Sequence, residues 1–173
     1  MKPKYFVAHY DDDDSCGVAH LPSRGLGTSL LAELVRNPMV QLLELRDGSF
    51  ADYLPCNKSW RLCSRKLKDV FDATAKPGDD LVWIPARVSN GNETRDYFVL
   101  SLTAHPEYID ASRSTYSAPG VVVKGVLDTE ACGGSAIFIY DPYAHAPVVS
   151  SQVRDAIIAA GCTGIAFSKH AQS

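Results

Sequence analysis

The segment from Leu81 to Leu102, LVWIPARVSNGNETRDYFVLSL, constrains the fold of this chain more than any other stretch. On each side of its Asn90-Gly91 pair, apolar and aromatic residues follow a period of two, which is typical of pleated strands. An Asn-Gly pair adopts positive φ at little cost and therefore favours a hairpin. Because both arms are apolar, we predict a central hairpin that is buried on both faces near the middle of a sheet.

The rest of the chain alternates between further strands and helices. Short apolar runs predict strands at residues 4–10, 39–45, 121–127, 135–140 and 164–167. Amphipathic spacing predicts helices at residues 29–36, 64–74 and 150–160, the last two beginning at Ser64 and Ser150. These two helices begin with similar sequences. Either shared capping rules or an internal duplication explains the similarity. The predicted class is α+β, a mostly antiparallel sheet around the central hairpin with two to three helices on one face or at the ends.

Composition indicates an ordinary cytoplasmic protein. With 173 residues, the chain fits a single domain, residues 1–173. A net charge of −3 argues against a general nucleic-acid binder, which needs a surplus of Lys and Arg. We find no apolar run long enough for a signal peptide or a membrane span. The five cysteines are scattered and odd in number, a pattern that fits reduced thiols in the cytoplasm.

The sequence contains no recognisable signature of catalysis or cofactor binding. The cysteines form no C-x-x-C pair, and the five histidines are dispersed without a metal-binding spacing. The glycine-containing stretch at residues 23–29 lacks the lysine of a phosphate-binding loop. We therefore predict no cofactor, no metal and no catalytic residue. An active site that is assembled by folding from separate His, Cys and Asp residues is the alternative.

Acidic residues are the most distinctive polar feature. The run from Asp11 to Asp14 follows the first predicted strand. A solvated turn explains it, whereas the alternating spacing of a calcium loop is absent. Alternatively, four adjacent carboxylates attract a basic partner and accelerate its association. Asp79-Asp80 adds to this field if the two loops are close, and Glu93 is a secondary candidate. The predicted partner-binding residues are Asp11, Asp12, Asp13, Asp14, Asp79, Asp80 and Glu93.

Several segments, in order, resemble bacterial immunity-protein family eleven. They are Phe50–Leu54, Cys63–Phe71, Trp83–Val88 before the Asn-Gly turn, Asp96–Leu100, Val149-Ser150 and Gly161–Phe167. The resemblance covers roughly residues 39–169 and is weakest over residues 1–38, which include the acidic run. It depends on the pattern and order of segments rather than on a catalytic motif.

The resemblance implies a protein that is encoded beside a polymorphic toxin and neutralises it in the producing cell. Toxins paired with this family include nucleases and other effectors that are delivered by contact-dependent or type VI secretion. The family has no established catalytic residues, so none is transferred to this chain. Because the acidic run suits a cationic partner, we expect a basic, nuclease-type toxin, and no direct binding to nucleic acid or membrane. The alternatives are a small cytoplasmic hydrolase or transferase and a structural adaptor module.

Overall fold

A computed structural model describes residues 4–11, 15–22, 27–119, 121–141 and 146–173. The described helices are α1 (Gly27–Arg36), α2 (Arg65–Thr74) and α3 (Ser151–Ala159), with a short 3₁₀ helix at Pro106–Tyr108. The described strands are β1 (Tyr5–Tyr10), β2 (Val18–His20), β3 (Gln41–Arg46), β4 (Tyr53–Leu54), β5 (Arg61–Ser64), β6 (Val82–Ser89), β7 (Thr94–Ser101), β8 (Thr115–Ala118), β9 (Val121–Lys124), β10 (Ile137–Phe138), β11 (Val148–Ser150) and β12 (Ile165–Lys169).

The two arms of the Asn-Gly segment, β6 and β7, pair antiparallel from Val82 opposite Ser101 to Ser89 opposite Thr94. They occupy the middle of a six-stranded sheet of order β2-β3-β6-β7-β5-β4. Gly91 has a φ of +90°, which explains why a glycine suits the turn between them. Within this sheet β3 runs parallel to β6 and the other neighbouring pairs are antiparallel.

A second sheet of four strands has the order β10-β11-β1-β12, and its pairs are all antiparallel. The N-terminal strand β1 pairs with two strands near the C-terminus. Tyr5 lies opposite Ser150 of β11, and Tyr10 lies opposite Ile165 of β12. Strands β8 and β9 form a separate two-stranded sheet. The α+β class and the mostly antiparallel pairing are confirmed. The division into two main sheets was not predicted, because no local pattern specifies which distant strands pair.

The helices α1 and α2 pack on opposite faces of the six-stranded sheet. Leu34 of α1 belongs to a core cluster with Ile84 and Val88, whereas Leu67 of α2 belongs to a different cluster that includes Leu100. The sequence predicted helices on one face or at the ends of the sheet, whereas α1 and α2 lie on opposite faces. The α2 cluster also contains residues of α3 and of the four-stranded sheet, so its apolar side chains join the two sheets.

The central hairpin is buried on both faces only along part of its length. The side chains of Arg87 and Asp96, which lie opposite each other, are 60% and 68% exposed. This corrects the prediction of full burial on both faces. Five short strands, β2, β4, β5, β8 and β11, lie where no strand was predicted, because two to four residues are too few for a periodic pattern. No helix in the described part of the chain is long and apolar enough to cross a membrane.

Candidate partner-binding site

Asp11, the first residue of the acidic run, lies at the edge of an open cleft. It directly follows β1, is exposed, and donates its backbone N–H to the carbonyl oxygen of Gly164 at 3.1 Å. The cleft has a volume of about 380 Å³ and is lined by Asp11, Ser15, Cys16, Ser49, Phe50, Ala51, Cys162, Thr163, Gly164 and Ile165. The other three predicted aspartates, Asp12, Asp13 and Asp14, lie outside the described residues.

A second cleft of about 290 Å³ adjoins the first, because Phe50, Ala51 and Thr163 line both. Its further lining residues are Asp52, Ser64, Lys66, Arg95, Asp96 and Tyr97. The two clefts together bring residues from β7, α2, the loop after α3 and the position after β1 to one surface. We refer to this surface as the double cleft.

Asp52 is the most highly connected polar residue of the double cleft. Its carboxylate accepts hydrogen bonds from the Ser64 hydroxyl at 2.6 Å and from the Thr163 backbone N–H at 2.9 Å, and it pairs with the Lys66 ammonium at 2.8 Å. Burial alone would raise the pKa of Asp52, but the bonds from Lys66, Ser64 and Thr163 outweigh it and hold the pKa below its ordinary value. Asp52 is therefore a stable anion in the floor of the second cleft.

Glu93 lies near the same surface, but its charge is compensated locally. Its carboxylate accepts hydrogen bonds from the Arg95 guanidinium at 2.6 and 3.2 Å. The Arg95 hydrogen bonds lower the pKa of Glu93, and the same guanidinium lies 4.4 Å from the centre of the Phe50 ring. Glu93 therefore contributes to the rim of the double cleft as part of an Arg–Glu pair rather than as an isolated anion.

Asp79 does not face solvent, which corrects its assignment as a partner-binding residue. It is 2% exposed, and its carboxylate accepts the backbone N–H groups of Lys76 at 2.8 Å and Ala136 at 3.0 Å. The side chain therefore holds the turn after α2 against the segment before β10. A buried carboxylate that is satisfied by backbone amides serves the fold rather than an external partner.

Asp80 is exposed but lies at the other end of the hairpin from Glu93. The strand β6 between them has eight residues, which corresponds to about 26 Å. The predicted residues therefore separate into Asp11 and Glu93 around the double cleft and Asp80 at the far end of β6. Sequence reasoning missed Phe50, Asp52 and Thr163, because their proximity depends on contacts between residues far apart in the chain.

The Cys162 thiol, which lines the first cleft, is held in its protonated form. Burial raises the pKa of the Cys162 thiol to about 11, so the thiolate is scarce at neutral pH. Within the described ranges, neither cleft is lined by a histidine. No cluster of three or more potential metal ligands occurs among the residues that the structure describes. What the surface offers is charge and hydrogen bonding around a concave, partly aromatic floor.

Comparison with known proteins connects this surface to one family. The model of an immunity protein family, Imm11, matches residues 8–172, which include every residue that lines the double cleft. The match confirms the resemblance and extends it to residues 8–38, where the sequence analysis found least similarity. No curated protein matches the chain.

Proposed function

Since this chain belongs to the immunity protein family Imm11, we propose that it binds one cognate toxin tightly and neutralises it in the cell that produces both. The family match over nearly the whole chain is the observation that carries this proposal. An immunity protein must act where the toxin would act on its own cell, so we place the inhibitor in the cytoplasm. Delivery of the toxin to rival bacteria by type VI secretion belongs to the same proposal.

We propose that the toxin docks on the double cleft. Asp11 lies at its edge, and the next three residues in the sequence are aspartates. Asp52 in the adjoining floor pairs with Lys66, and Asp96 on the same cleft pairs with Arg87, so the acidic run supplies the excess of negative charge. Carboxylates around a concave surface attract a basic partner and fix its orientation. Phe50, with the Arg95 guanidinium over its ring, provides an aromatic contact of the type that is common at interface centres.

The charge of this surface favours a nuclease as the toxin. A nuclease binds phosphates in a cleft that is lined by Lys and Arg. An inhibitor that presents several carboxylates to the nuclease cleft places negative charges where the phosphates of the nucleic acid would bind. Close charge pairs in such complexes contribute about 1.5–7 kcal/mol of coupling energy in the best-studied nuclease–inhibitor pair.

The experiment is co-expression with the product of the adjacent toxin gene. The expected result is that cells grow with both genes and die with the toxin alone, and that the two proteins elute together at a one-to-one ratio. Full toxicity in the presence of this protein, without a complex in gel filtration, would refute the proposal.

Stoichiometry distinguishes a binding inhibitor from the alternative, a small hydrolase or transferase. A binding inhibitor abolishes toxin activity when the molar ratio reaches one, and activity decreases linearly before that point. Each molecule of an enzyme that modified the toxin would inactivate many toxin molecules, and the inactivated fraction would increase with the time of incubation. Residual toxin activity that falls to zero at a small fraction of one equivalent would favour catalysis.

A further inference from the structure

The outward face of β3 and β6 carries exposed apolar side chains that the toxin proposal does not use. In β3, Leu43 and Leu45 are buried, whereas Leu42 between them is 66% exposed. Leu42 lies opposite Arg87 of β6, so both project from the same side of the sheet. Because side chains alternate along a strand, this side is the one opposite α1.

Further apolar residues extend this exposed surface. Met39 and Val40, which precede β3, are 65% and 51% exposed. Val40 and Pro85 line a shallow groove of about 160 Å³ together with Arg65 and Phe98. We call this surface the β3–β6 face and define it by Val40, Leu42, Glu44, Arg46, Arg65, Pro85, Arg87 and Asp96.

Helix α2 covers only the neighbouring part of the same side. Its Leu67 and Phe71 pack in the cluster that contains Leu100, and the Arg65 guanidinium lies 4.3 Å from the centre of the Phe98 ring. Beyond Arg65, the described helices leave β3 and β6 uncovered on this side. Adjacent large apolar side chains with more than half of their surface exposed are typical of interaction surfaces.

The charges of the β3–β6 face are of both signs and nearly balanced. Arg87 lies 3.4 Å from Asp96, and Arg46 lies 2.8 Å from Glu44 on the same side of the sheet. In a two-fold contact each patch meets an identical patch, so a stable contact requires a surface that complements itself. Paired arginines and carboxylates beside an apolar stripe meet this requirement.

We propose that the β3–β6 face is the contact between two copies of this chain in a two-fold symmetric dimer. Leu42 and Val40 of each copy pack against those of the other and are removed from water. Arg87 of one copy pairs with Asp96 of the partner subunit, and the reciprocal pair forms by symmetry. The contact converts two exposed intramolecular pairs into pairs across an interface from which water is displaced.

A basic toxin is a poorer occupant of this face than a second copy. The described arginines here, Arg46, Arg65 and Arg87, outnumber the two carboxylates, Glu44 and Asp96, so the face does not attract a cationic protein. A second copy supplies carboxylates and arginines at matching positions. Asp96 also lines the double cleft, so the proposed dimer contact and the proposed toxin contact adjoin.

The first test is sedimentation equilibrium of the purified protein, with Leu42→Glu as the variant and Ile158→Glu as the matched control. Ile158 is 61% exposed on α3, away from the β3–β6 face. The wild type and Ile158→Glu should dimerise, and Leu42→Glu should raise the dissociation constant at least about 30-fold. Thermal unfolding checks that each variant is folded. A monomeric wild type at micromolar concentration, or a Leu42→Glu variant that dimerises as well as the wild type, would overturn the proposal.

The second test exploits the reciprocal charge pair. Arg87→Asp leaves two carboxylates at each contact and Asp96→Arg leaves two guanidinium groups, so neither variant should form a homodimer. An equimolar mixture should form a heterodimer, because each copy then meets the opposite charge. Both positions are exposed, so the fold tolerates the exchange. A mixture that remains monomeric would overturn the proposed dimer contact. A Leu42→Glu variant that loses toxin binding while the wild type is monomeric would assign the face to another partner.

Discussion

The carboxylate of Asp52 holds Thr163, which lies 111 positions further along the chain. One carboxylate oxygen accepts the backbone N–H of Thr163 at 2.9 Å and its hydroxyl at 3.1 Å. The other oxygen accepts the hydroxyl of Ser64, the residue that caps α2. A single side chain therefore connects the loop before β4, the start of α2 and the loop after α3, and these three segments line the second cleft together with β7.

Replacing Asp52 by Ala should lower the free energy of unfolding by about 2 kcal/mol at pH 7, because the Thr163 amide and the Ser64 hydroxyl lose their acceptor. The Asp52 side chain is only 13% exposed, so water replaces the acceptor poorly. Since the pKa of Asp52 is lowered in the folded state, its contribution is present above the unfolded pKa of about 3.9 and is lost as the pH falls through the folded pKa. Urea denaturation at several pH values measures both effects.

The matched control for Asp52 is Asp96→Ala, which removes an exposed carboxylate on the neighbouring strand. Its pair with Arg87 is 3.4 Å long and largely solvated, so the loss should stay within about 0.5 kcal/mol. Equal losses for the two variants would show that the Asp52 contacts do not stabilise the fold.

The serine caps of α2 and α3 should differ in strength. Ser64 accepts the Leu67 N–H at 3.2 Å and also donates to Asp52, whereas Ser150 accepts the Val153 N–H at 3.4 Å. We expect Ser64→Ala to cost about 2 kcal/mol and Ser150→Ala about 1 kcal/mol of unfolding free energy. Chemical denaturation of both variants measures the difference, and a larger loss for Ser150→Ala would contradict the structure.

Gly164 should tolerate no side chain. Its φ is +74°, and an added Cβ would lie 2.5 Å from the Tyr53 carbonyl oxygen and 2.7 Å from the Ala51 Cβ. Gly161 also has a positive φ, +62°, but a Cβ there would meet no atom within 4 Å. Gly161→Ala should therefore cost about 1 kcal/mol from backbone strain, and Gly164→Ala about 3 kcal/mol from strain and collision. Similar melting temperatures for the two variants would contradict this geometry.

His170 should make the protein less stable in mild acid. Burial lowers the pKa of this imidazole from its ordinary value of 6.5, and its ring lies edge-on to Tyr140. The unfolded chain therefore binds a proton more readily, so stability is full above about pH 6.5 and decreases as the pH falls towards the folded pKa. His170→Gln should flatten the dependence of unfolding free energy between pH 7 and 5. An unaltered slope for His170→Gln would exclude this residue as the cause.

Neutralising the acidic run should weaken toxin binding. Substituting Asn for all four aspartates from Asp11 to Asp14 removes four charges from a run whose first residue lies at the edge of the double cleft, so association should slow and become less dependent on salt. The free energy of unfolding should change little, because Asp11 is exposed. Surface plasmon resonance at two salt concentrations, with the product of the adjacent toxin gene as the ligand, measures the association rate and the affinity. Asp80→Asn is the control. Unchanged affinity and salt dependence would make the run a solvated turn.

Features that depend on neighbouring residues were predictable from the sequence. The Asn-Gly turn and the Ser64 cap require contacts over two to three positions, so the local sequence specifies them. The capping predictions at Ser64 and Ser150 are both confirmed. The acidic run was recognisable as a charged loop, and Asp11 does lie exposed at the end of β1.

Features that depend on distant pairing were not predictable. Asp79 and Asp80 are adjacent and chemically identical, yet one is buried against the Ala136 amide and the other is exposed. Nothing in the local pattern distinguishes them, because the difference arises from a segment 57 positions away. The double cleft was missed for the same reason.

The sequence by itself therefore determined the α+β class, the Asn-Gly hairpin, the serine caps of α2 and α3 and the family of this protein. Only the tertiary structure decided that β1 joins the C-terminal strands in a second sheet, that Asp52 and Thr163 meet, and that Leu42 remains exposed. Local patterns record which side of a strand is apolar, but they do not record which distant element covers that side. That choice is made when the whole chain packs, and it places the surfaces that we propose for the toxin and for a second copy.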